Sequence, residues 1–359
     1  MKTPRLVINK DVMMQNLEHM QEEVNQNTDV QLRPHIKTHK STLLAKLQLE
    51  LGAIGITCAK LSEAEVMIES GIDDIFLAYP LVDEEKILES FALVSKTKRF
   101  IYSIDTIEGA TLLSSLAIKN NCIVEARIEI DTGLYRTGFS KEEIEIYGKE
   151  LLSLKGLNIS GIYTYRGSKN TQGEAIKETY QAGIEESTLM VDMAKQLSEI
   201  GFIIKDISVG STPTLKGVLA VPGITEVRVG TYIFNDAMQV AYHVCPPQAC
   251  AASVYVHVVS VHADRAIIDG GSKSFATDVQ PCNTPVSLKG FGIVKNHPNI
   301  VFDRMNEEHG YLLLHGDTVK VGDILEIIPN HICSTVNLYD SYYFDDNTKI
   351  ITSARGKTQ

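Results

Sequence analysis

The chain has no tryptophan, and its six cysteines are scattered without a CxxC pair. Six cysteines in 359 residues are too few for a disulfide-rich secreted scaffold, and they fit a reducing compartment. No apolar run is long enough to cross a bilayer, and the N-terminus leads into Asp11 and polar residues without the long apolar core of a signal peptide. These absences predict a cytoplasmic protein.

Basic residues are also fewer than acidic residues. The 34 Lys and Arg residues against 45 Asp and Glu residues give a formal net charge of −11. Such a surface repels phosphate polymers and anionic lipid, so we expect neither nucleic acid nor a membrane as a partner. The 44% hydrophobic and 22% charged residues are typical of a folded globular chain.

Between Val30 and Val229, short β-branched runs alternate with longer segments of helical period, which predicts parallel strands joined by crossover helices. Eight strands close a TIM-type (β/α)₈ barrel, whose usual length of about 250 residues fits this region. A doubly wound open sheet is the alternative. The predicted strands span residues 30–36, 55–59, 74–79, 99–104, 123–130, 158–165, 204–209 and 224–229.

Helices are expected between the strands, for example at 63–69 and 174–200. From about Val244 the pattern changes to alternating stretches separated by turn residues, such as 253–262 and 317–329, which predicts an antiparallel β domain. We place the boundary in 243–247. The predicted domains are therefore a barrel over 1–243 and a β domain over 244–359.

The first predicted strand ends in a dense group of bases and cations, RPHIKTHK at 33–40. Alternation along the strand would place His35 and Lys37 on the same face. An enclosed amine with cationic neighbours can form a Schiff base with a carbonyl. A solvated basic loop is the alternative interpretation.

The seventh and eighth predicted strands end in glycine and hydroxyl residues, Gly210-Ser211-Thr212-Pro213 and Gly230-Thr231-Tyr232. Barrels of this type commonly bind phosphate there, because glycine lets the backbone approach and hydroxyl and N–H groups donate. Each motif alone fits a plain turn. Together with Lys37 they predict a phosphorylated carbonyl cofactor, pyridoxal phosphate.

Two further groups follow the fifth and sixth predicted strands. Arg136 could donate to an anionic oxygen near the lysine, or it could pair with Asp131 in a structural role. Tyr163 and Tyr165 lie on one face of their strand and could flank a planar ring or pack in the core.

In the β domain, Pro329-Asn330-His331-Ile332-Cys333 places His331 and Cys333 two residues apart. If the segment is a strand, both side chains point to the same side. Imidazole and thiolate favour zinc over magnesium or calcium, and two protein ligands leave positions for water and substrate. Ordinary packing is the alternative.

The motifs above, spread over nearly the whole chain, resemble those of the D-serine dehydratase and D-threonine aldolase family. These are pyridoxal-phosphate enzymes with an alanine-racemase-like fold. The segments that carry the resemblance are Thr3–Ile8, Arg33–Lys40, Gly210–Pro213, Thr225-Glu226, Asp269–Lys273, Glu308–Gly310 and Pro329–Cys333.

The resemblance implies a role for each candidate residue. Lys37 would hold the cofactor covalently, Arg136 would meet its phenolic oxygen, and Tyr163 would contact it. Its phosphate would be held by Gly210, Ser211 and Thr212 with Gly230 and Thr231. A divalent metal, expected to be zinc, would be held by His331 and Cys333. The family pattern also implies a homodimer in which the β domain of one chain closes the barrel of the other.

One departure from the family pattern concerns substrate choice. Dehydratase-like members resemble GxYTHxGxxY after the sixth strand, whereas Tyr165 stands here at the histidine and Asn170 at the second tyrosine.

The predicted function is a lyase of D-3-hydroxy-α-amino acids, with dehydration of D-serine to pyruvate and ammonia as the leading hypothesis. Retro-aldol cleavage of the D-threonine aldolase type, giving glycine and an aldehyde, is the alternative. An amino-acid racemase and a non-catalytic pyridoxal-phosphate-binding protein are more remote, because neither needs the His331 and Cys333 pair.

Overall fold

The structure is a computed structural model, and it describes residues 2–167, 178–283 and 286–359. The chain forms two compact units whose segments alternate along the sequence. The barrel unit contains Gln21–Lys37, Leu44–Gly230 and Lys357–Gln359. The β unit contains Met1–Met20, Thr38–Leu43 and Thr231–Gly356.

The chain starts with strand β1 (Arg5–Ile8) and helix α1 (Lys10–Asn25). Eight parallel strands then follow within the barrel unit: β2 (Gln31–Leu32), β3 (Ile56–Cys58), β4 (Asp74–Pro80), β5 (Arg99–Ile104), β6 (Val124–Glu129), β7 (Leu157–Tyr163), β8 (Asp206–Val209) and β9 (Glu226–Val227). The helices of this unit are α2 (Thr42–Glu50), α3 (Leu61–Glu69), α4 (Glu84–Val94), α5 (Ile107–Lys119), α6 (Lys141–Ser153), α7 (Thr179–Ile200) and α8 (Leu215–Leu219).

The eight strands close into a ring. Their order in the sheet is β2-β9-β8-β7-β6-β5-β4-β3. The two ends of this order are joined by a parallel bridge between His35 and Thr57 and by the Ile54 N–H, which donates to the Leu32 oxygen at 2.9 Å. The predicted barrel is therefore confirmed.

The end of the first barrel strand differs from the prediction. β2 ends at Leu32, and Ile36–Thr38 form a turn of 3₁₀-helix. The expectation that His35 and Lys37 alternate along a strand is therefore wrong, because the backbone of Lys37 is helical.

Local sequence signals explain where the barrel helices begin and end. Ser140 and Glu143 form a reciprocal capping box at the start of α6. Helix α7 ends at Ile200, and its C-cap Gly201 has a left-handed φ of +118°, which favours glycine. The predicted helix at 63–69 is confirmed within α3, and the predicted helix at 174–200 is confirmed from Thr179 onward, with 174–177 outside the described residues.

A buried ion network crosses the interior of the barrel unit. Glu226 accepts hydrogen bonds from Arg33 at 2.7 Å and from Arg127 at 2.5 Å. The two arginines also reach Asp74 and Asp206, which are the first residues of β4 and β8. The network therefore lies toward the amino-terminal end of the barrel, away from the end where barrel enzymes bind substrate.

The β unit contains β1 and the remaining elements: α9 (Ala237–Ala241), β10 (Ala252–Val261), β11 (Arg265–Ile268), β12 (Gly292–Val294), β13 (Val301–Met305), β14 (Gly310–Leu313), β15 (Ile324–Pro329), α10 (Ile332–Val336), β16 (Ser341–Phe344) and β17 (Lys349–Ile351). The sheet runs β13-β14-β11-β10-β1-β16-β17, with β15 pairing to β10 and β12. The pairs are antiparallel except for β1 with β16.

The first strand of the chain belongs to the β unit because it pairs with β10 and β16. The predicted strand at 253–262 is confirmed as β10. The predicted strand at 317–329 is confirmed only over Ile324–Pro329, because a turn with Gly322 at φ +93° precedes it. The domain boundary placed in 243–247 stays a prediction.

Among the described residues, every helix is too short or too polar to traverse a lipid bilayer.

Candidate active site

Lys37, Gly230 and Gly210 follow three neighbouring strands of the barrel unit. β9 pairs with β2 on one side and with β8 on the other. The His35 N–H donates to the Val229 oxygen at 2.9 Å, so the segments that lead to Lys37 and Gly230 run side by side. The structure therefore places these three predicted residues at the carboxyl end of the barrel.

The ring of Tyr165 lies close to Lys37 and Arg136, the two cationic side chains that are predicted to contact the cofactor. The Lys37 Nζ is 4.8 Å from the ring centroid, and the guanidinium carbon of Arg136 is 5.2 Å from it. Both distances are within the range of a cation–π contact. The sequence does not predict the contact of Tyr165 with both cations, because Lys37, Arg136 and Tyr165 follow three different strands.

Arg136 is not held in a buried structural ion pair. Asp131, the alternative partner predicted for it, uses Oδ1 to accept the backbone N–H groups of Gly133 and Tyr135 at 2.9 and 3.1 Å. Arg136 instead lies 4.0 Å from Glu129, and its side chain is 56% exposed. Its guanidinium is therefore accessible to an anionic ligand.

Tyr163 lies in the barrel core. Its ring packs edge-on against Phe76 at 4.9 Å, and its hydroxyl donates to Glu129 at 2.9 Å and contacts Ser103. Burial raises the pKa of Tyr163, and the charge of Glu129 adds to the effect. The cofactor contact assigned to Tyr163 stays a prediction.

The predicted phosphate loop begins where β8 ends. Gly210 has a φ of +90°, a left-handed conformation that side chains disfavour. Ser211 donates its N–H to the Thr214 hydroxyl at 3.1 Å, and Pro213 lies in the first turn of the 3₁₀-helix Thr212–Thr214. Glycine and hydroxyl groups at a helix start suit a phosphate ligand.

A fully buried carboxylate supports this loop from helix α7. Glu186 accepts the Gly210 N–H at 3.5 Å and the Thr214 hydroxyl at 3.4 Å. Burial raises the pKa of Glu186, although the N–H of Gly210 and the nearby cation of Arg166 oppose the rise. No sequence motif indicated this residue, because it lies in the middle of a long amphipathic helix.

In the β unit, His331 and Cys333 do not lie on a strand. β15 ends at Pro329, and α10 begins at Ile332. His331 is the N-cap of α10, and Cys333 lies in its first turn. The predicted strand alternation is therefore wrong, but the two side chains still lie close enough for Cys333 to affect the pKa of His331.

The imidazole of His331 has a fixed orientation. Its Nδ1 lies 2.6 Å from Oδ2 of Asp278, which also accepts the Ser334 hydroxyl at 2.8 Å. With Nδ1 directed at the carboxylate, Nε2 is the nitrogen that can bind a metal. Burial lowers the pKa of His331, but the charge of Cys333 and the bond to Asp278 together raise it well above its ordinary value.

Cys333 lies among hydroxyl groups. Its Sγ is 3.2 Å from the Thr38 hydroxyl and 3.7 Å from the Thr231 hydroxyl. Thr38 and Thr231 follow Lys37 and Gly230 directly in the chain. Among residues 2–167, 178–283 and 286–359, no group of three or more His, Cys, Asp or Glu side chains is arranged to hold a metal ion. An imidazole and thiol pair of this kind fits a metal centre with open coordination positions.

The turn that carries this pair is held by a buried carboxylate. Asp236 accepts the Ile332 N–H at 3.0 Å and the Gln239 N–H at 3.0 Å, so it links the starts of α10 and α9. Met238 adds a bond from its N–H to the Asn330 oxygen at 3.3 Å. Backbone bonds thus position His331 and Cys333 independently of a metal.

Lys273, Glu308 and Asn170 are also part of the family resemblance. Lys273 and Glu308 form an exposed ion pair at 2.6 Å in the β unit. Their placement beside the active site stays a prediction. Asn170, at the position of the second family tyrosine, lies outside the described residues.

Residues 8–237 match the N-terminal domain of alanine racemase, and residues 251–344 match a serine dehydratase domain. The first match covers more than half of the chain, so the protein belongs to the alanine racemase family, whose members depend on pyridoxal phosphate. The resemblance found in the sequence is therefore confirmed.

The relatives act on D-hydroxy amino acids according to their names. The chain is 30% identical to a D-threo-3-hydroxyaspartate dehydratase of Delftia sp. (strain HT23), with 95% of this chain and 93% of that protein aligned. It is 29% identical to a D-threonine aldolase of Arthrobacter sp. (94% and 87%) and 26% identical to a D-serine dehydratase of Dictyostelium discoideum (99% and 96%).

The solved structures agree with the predicted fold. The Delftia dehydratase superimposes with a TM-score of 0.87 at 27% identity, covering 98% of this chain and 97% of that one. It has also been solved as a histidine-to-alanine mutant and, in the metal-free form, as a cysteine-to-alanine mutant, at positions two residues apart. A D-threonine aldolase from Filomicrobium marinum shows the same fold, with a TM-score of 0.84 at 24% identity over 100% of this chain and 96% of that one.

Proposed function

We propose that this protein is a pyridoxal-phosphate- and metal-dependent lyase of D-3-hydroxy-α-amino acids, with dehydration of D-serine to pyruvate and ammonia as its main activity. The observation that carries the proposal is the pairing of the His331 imidazole with the Cys333 thiol. The same chain places Lys37 and Arg136 at the ring of Tyr165. A racemase has no use for the pair of His331 and Cys333.

The residues at the carboxyl end of the barrel fit pyridoxal phosphate. Lys37 is the amine that can hold the cofactor aldehyde, and Arg136 offers an accessible guanidinium for its phenolic oxygen. Gly210 leaves room for a phosphate beside Ser211 and Thr212, and Gly230 and Thr231 follow the neighbouring strand. When bound, the cofactor withdraws electrons from the α-carbon of the substrate.

Lys37 has two tasks in this assignment. Its Nζ would hold the cofactor aldehyde, and the same Nζ, when free, would take the proton from the α-carbon of the substrate. The Tyr165 ring lies 4.8 Å from Nζ and helps to position it.

His331 and Cys333 are the residues that would hold the metal, and zinc suits the thiolate and imidazole donors. A metal there supplies Lewis acidity toward the β-hydroxyl of the substrate. Asp278 keeps the His331 ring in the orientation that presents Nε2. The thiolate favours the dehydratase over the aldolase, since the family resemblance associates a carboxylate at the second position with aldolases.

The decisive experiment separates the two products. Protein reconstituted with pyridoxal phosphate and zinc is incubated with D-serine, D-threonine or D-threo-3-hydroxyaspartate, with L-serine as the control. The proposal expects 2-oxo acid and ammonia from the D-amino acids and their loss on chelation or in Cys333→Ala, whereas Cys282→Ala remains active. Glycine without 2-oxo acid would establish the aldolase, and full activity after complete metal removal would overturn the role of the pair.

The proposal extends to assembly and location. It includes a homodimer in the cytoplasm, as the resemblance implies. Sedimentation analysis of the reconstituted protein tests the dimer, and a single species with the mass of one chain would contradict it.

A further inference from the structure

A buried threonine of the β unit contacts one of the two proposed metal ligands. The hydroxyl oxygen of Thr38 is 3.2 Å from the Sγ of Cys333. Thr38 is 0% exposed and Cys333 is 9% exposed, so water has little access to this contact. The hydroxyl of Thr231 is farther from the same sulfur, at 3.7 Å. The shorter of these two hydroxyl contacts is therefore the one from Thr38.

Hydrogen bonds within the β unit fix the segment that begins at Thr38. The hydroxyl of Tyr342 donates to the backbone oxygen of His39 at 3.1 Å. The N–H of Ala354 donates to the backbone oxygen of Lys40 at 2.9 Å. The contact between the hydroxyl and the thiol is therefore part of the fold of this unit, rather than a chance approach of two mobile side chains.

The chemistry of a metal-bound cysteine decides the direction of this hydrogen bond. In the thiol form of Cys333, either the sulfur or the Thr38 hydroxyl can be the donor. A cysteine that binds a metal is a thiolate, which has no proton and can only accept. The hydroxyl has one proton to donate, and in a buried site a hydrogen bond to a charged acceptor is strong.

We propose that Thr38 is a positioning residue of the metal centre, whose hydroxyl donates to the metal-bound sulfur of Cys333. The inference rests on the proposed function, because it requires Cys333 to be a metal ligand. The bond orients the sulfur and withdraws charge from it, so a metal at this site is a stronger Lewis acid toward the β-hydroxyl of the substrate. Thr38 thus does for the thiolate what Asp278 does for the imidazole of His331.

Cobalt(II) in place of zinc reports on this bond, because a cobalt–thiolate bond has a charge-transfer absorption band that a zinc–thiolate bond lacks in the same region. The pyridoxal-phosphate-loaded protein is prepared with cobalt or with zinc, and the difference spectrum cancels the absorption of the cofactor. Thr38→Val keeps the shape of threonine without the hydroxyl. Its sulfur holds electrons less tightly, so the band should move to longer wavelength, whereas Thr38→Ser should keep the band of wild type.

Zinc affinity gives a second readout, measured by competition with a chromogenic chelator. We expect Thr38→Val to weaken zinc binding about 10-fold, as the loss of an outer hydrogen bond to a ligand does, and Thr38→Ser to restore most of the affinity. Thr352→Val is the matched control. Thr352 is 3% exposed in the same unit, and its hydroxyl has no hydrogen-bond partner among the described residues, so the band and the affinity should both stay as in wild type.

The outcomes separate this inference from the proposed function. A band at the same wavelength in Thr38→Val would overturn the role of Thr38 even if zinc affinity fell, because lost packing alone can weaken binding. An equal shift of the band in Thr38→Ser would also overturn it. Absence of the band in wild type would overturn Cys333 as a ligand as well. Circular dichroism melting checks that Thr38→Val folds, and Thr38→Ala, with the same expected shift, replaces it if valine is not tolerated.

Discussion

Lys37 is the residue on which the proposed chemistry depends most directly. We expect Lys37→Ala to abolish both the yellow colour of the reconstituted protein and turnover, since its Nζ is the proposed attachment point of the cofactor aldehyde. The absorption spectrum and the 2-oxo acid assay measure the two effects. Lys195→Ala, an exposed lysine on α7, is the control and keeps both. An unchanged spectrum in Lys37→Ala would remove the assignment.

Asp278 carries a second prediction at this scale, because its carboxylate fixes the ring of His331 at 2.6 Å. Asp278→Asn is expected to weaken zinc binding by about 10–100-fold. Competition with a chromogenic chelator measures the dissociation constant. Ser334→Ala, which removes only the hydroxyl bonded to Asp278, should have a smaller effect. Equal affinities in wild type and Asp278→Asn would contradict the orienting role.

Single residues also show what the sequence could reveal. Lys37, His331 and Cys333 could be nominated because their chemistry resides in residue type and short spacing. Asp278 could not, since it lies 53 residues from the imidazole that it orients and only the fold brings it near. The contacts of Tyr165 with two cations likewise depend on loops that follow different strands.

At the scale of elements, two glycines let α7 pack directly against the segment that follows the phosphate loop. A Cβ at Gly183 would collide with the Thr214 oxygen, and a Cβ at Gly217 would collide with the Tyr180 oxygen. These are backbone atoms, so relief requires the helix and the loop to separate. A side chain therefore does not fit at Gly183 or at Gly217.

We expect Gly183→Ala to cost about 1–3 kcal/mol of unfolding free energy and to weaken pyridoxal phosphate binding by displacing the loop. Denaturant unfolding and fluorescence titration with the cofactor measure the two effects. Gly148→Ala is the matched control, because its Cβ would meet only the end of the Ile200 side chain, which can move. Equal cofactor affinity in both variants would show that the α7 contact does not position the loop.

The hydrophobic period of the sequence predicts whether a segment is a helix or a strand. It does not predict the residues at which these elements begin and end. All eight barrel strands could be predicted because buried parallel strands are short β-branched runs between turn residues. The sequence around Ile332 does not predict the helix start, because the carboxylate that accepts the Ile332 N–H belongs to a distant residue, Asp236. Alternation is unreliable where tertiary hydrogen bonds decide the backbone.

At the scale of the whole molecule, the ring of strands was predictable but the interleaving of the two units was not. The number of strands follows from the sequence, whereas the pairing of β1 with β10 joins segments that are remote in the chain. Glu226, which is part of the family resemblance, belongs to the interior ion network of the barrel. Family motifs therefore include residues that hold the fold as well as residues of the site.

This network predicts how stability depends on pH. Burial raises the pKa of Glu226, but the charges of Arg127 and Arg33 lower it far below its ordinary value. Its contribution is therefore complete above the unfolded pKa of about 4.3 and is lost as pH falls through the lower folded pKa. Glu226→Gln leaves both arginines without their shared anion and should cost about 3–5 kcal/mol at pH 7.

Urea unfolding of wild type and Glu226→Gln from pH 7 down to pH 3 measures this dependence. The difference in unfolding free energy should stay constant above about pH 5 and shrink below it, because protonation of Glu226 in the unfolded state then opposes folding of the wild type. Asp192→Asn, which breaks only the exposed Lys195 pair, should leave the difference from wild type near zero. If the difference in unfolding free energy between wild type and Glu226→Gln grows as the pH falls, the predicted pH dependence is wrong. Glu226 would then not be a permanent anion between two buried arginines.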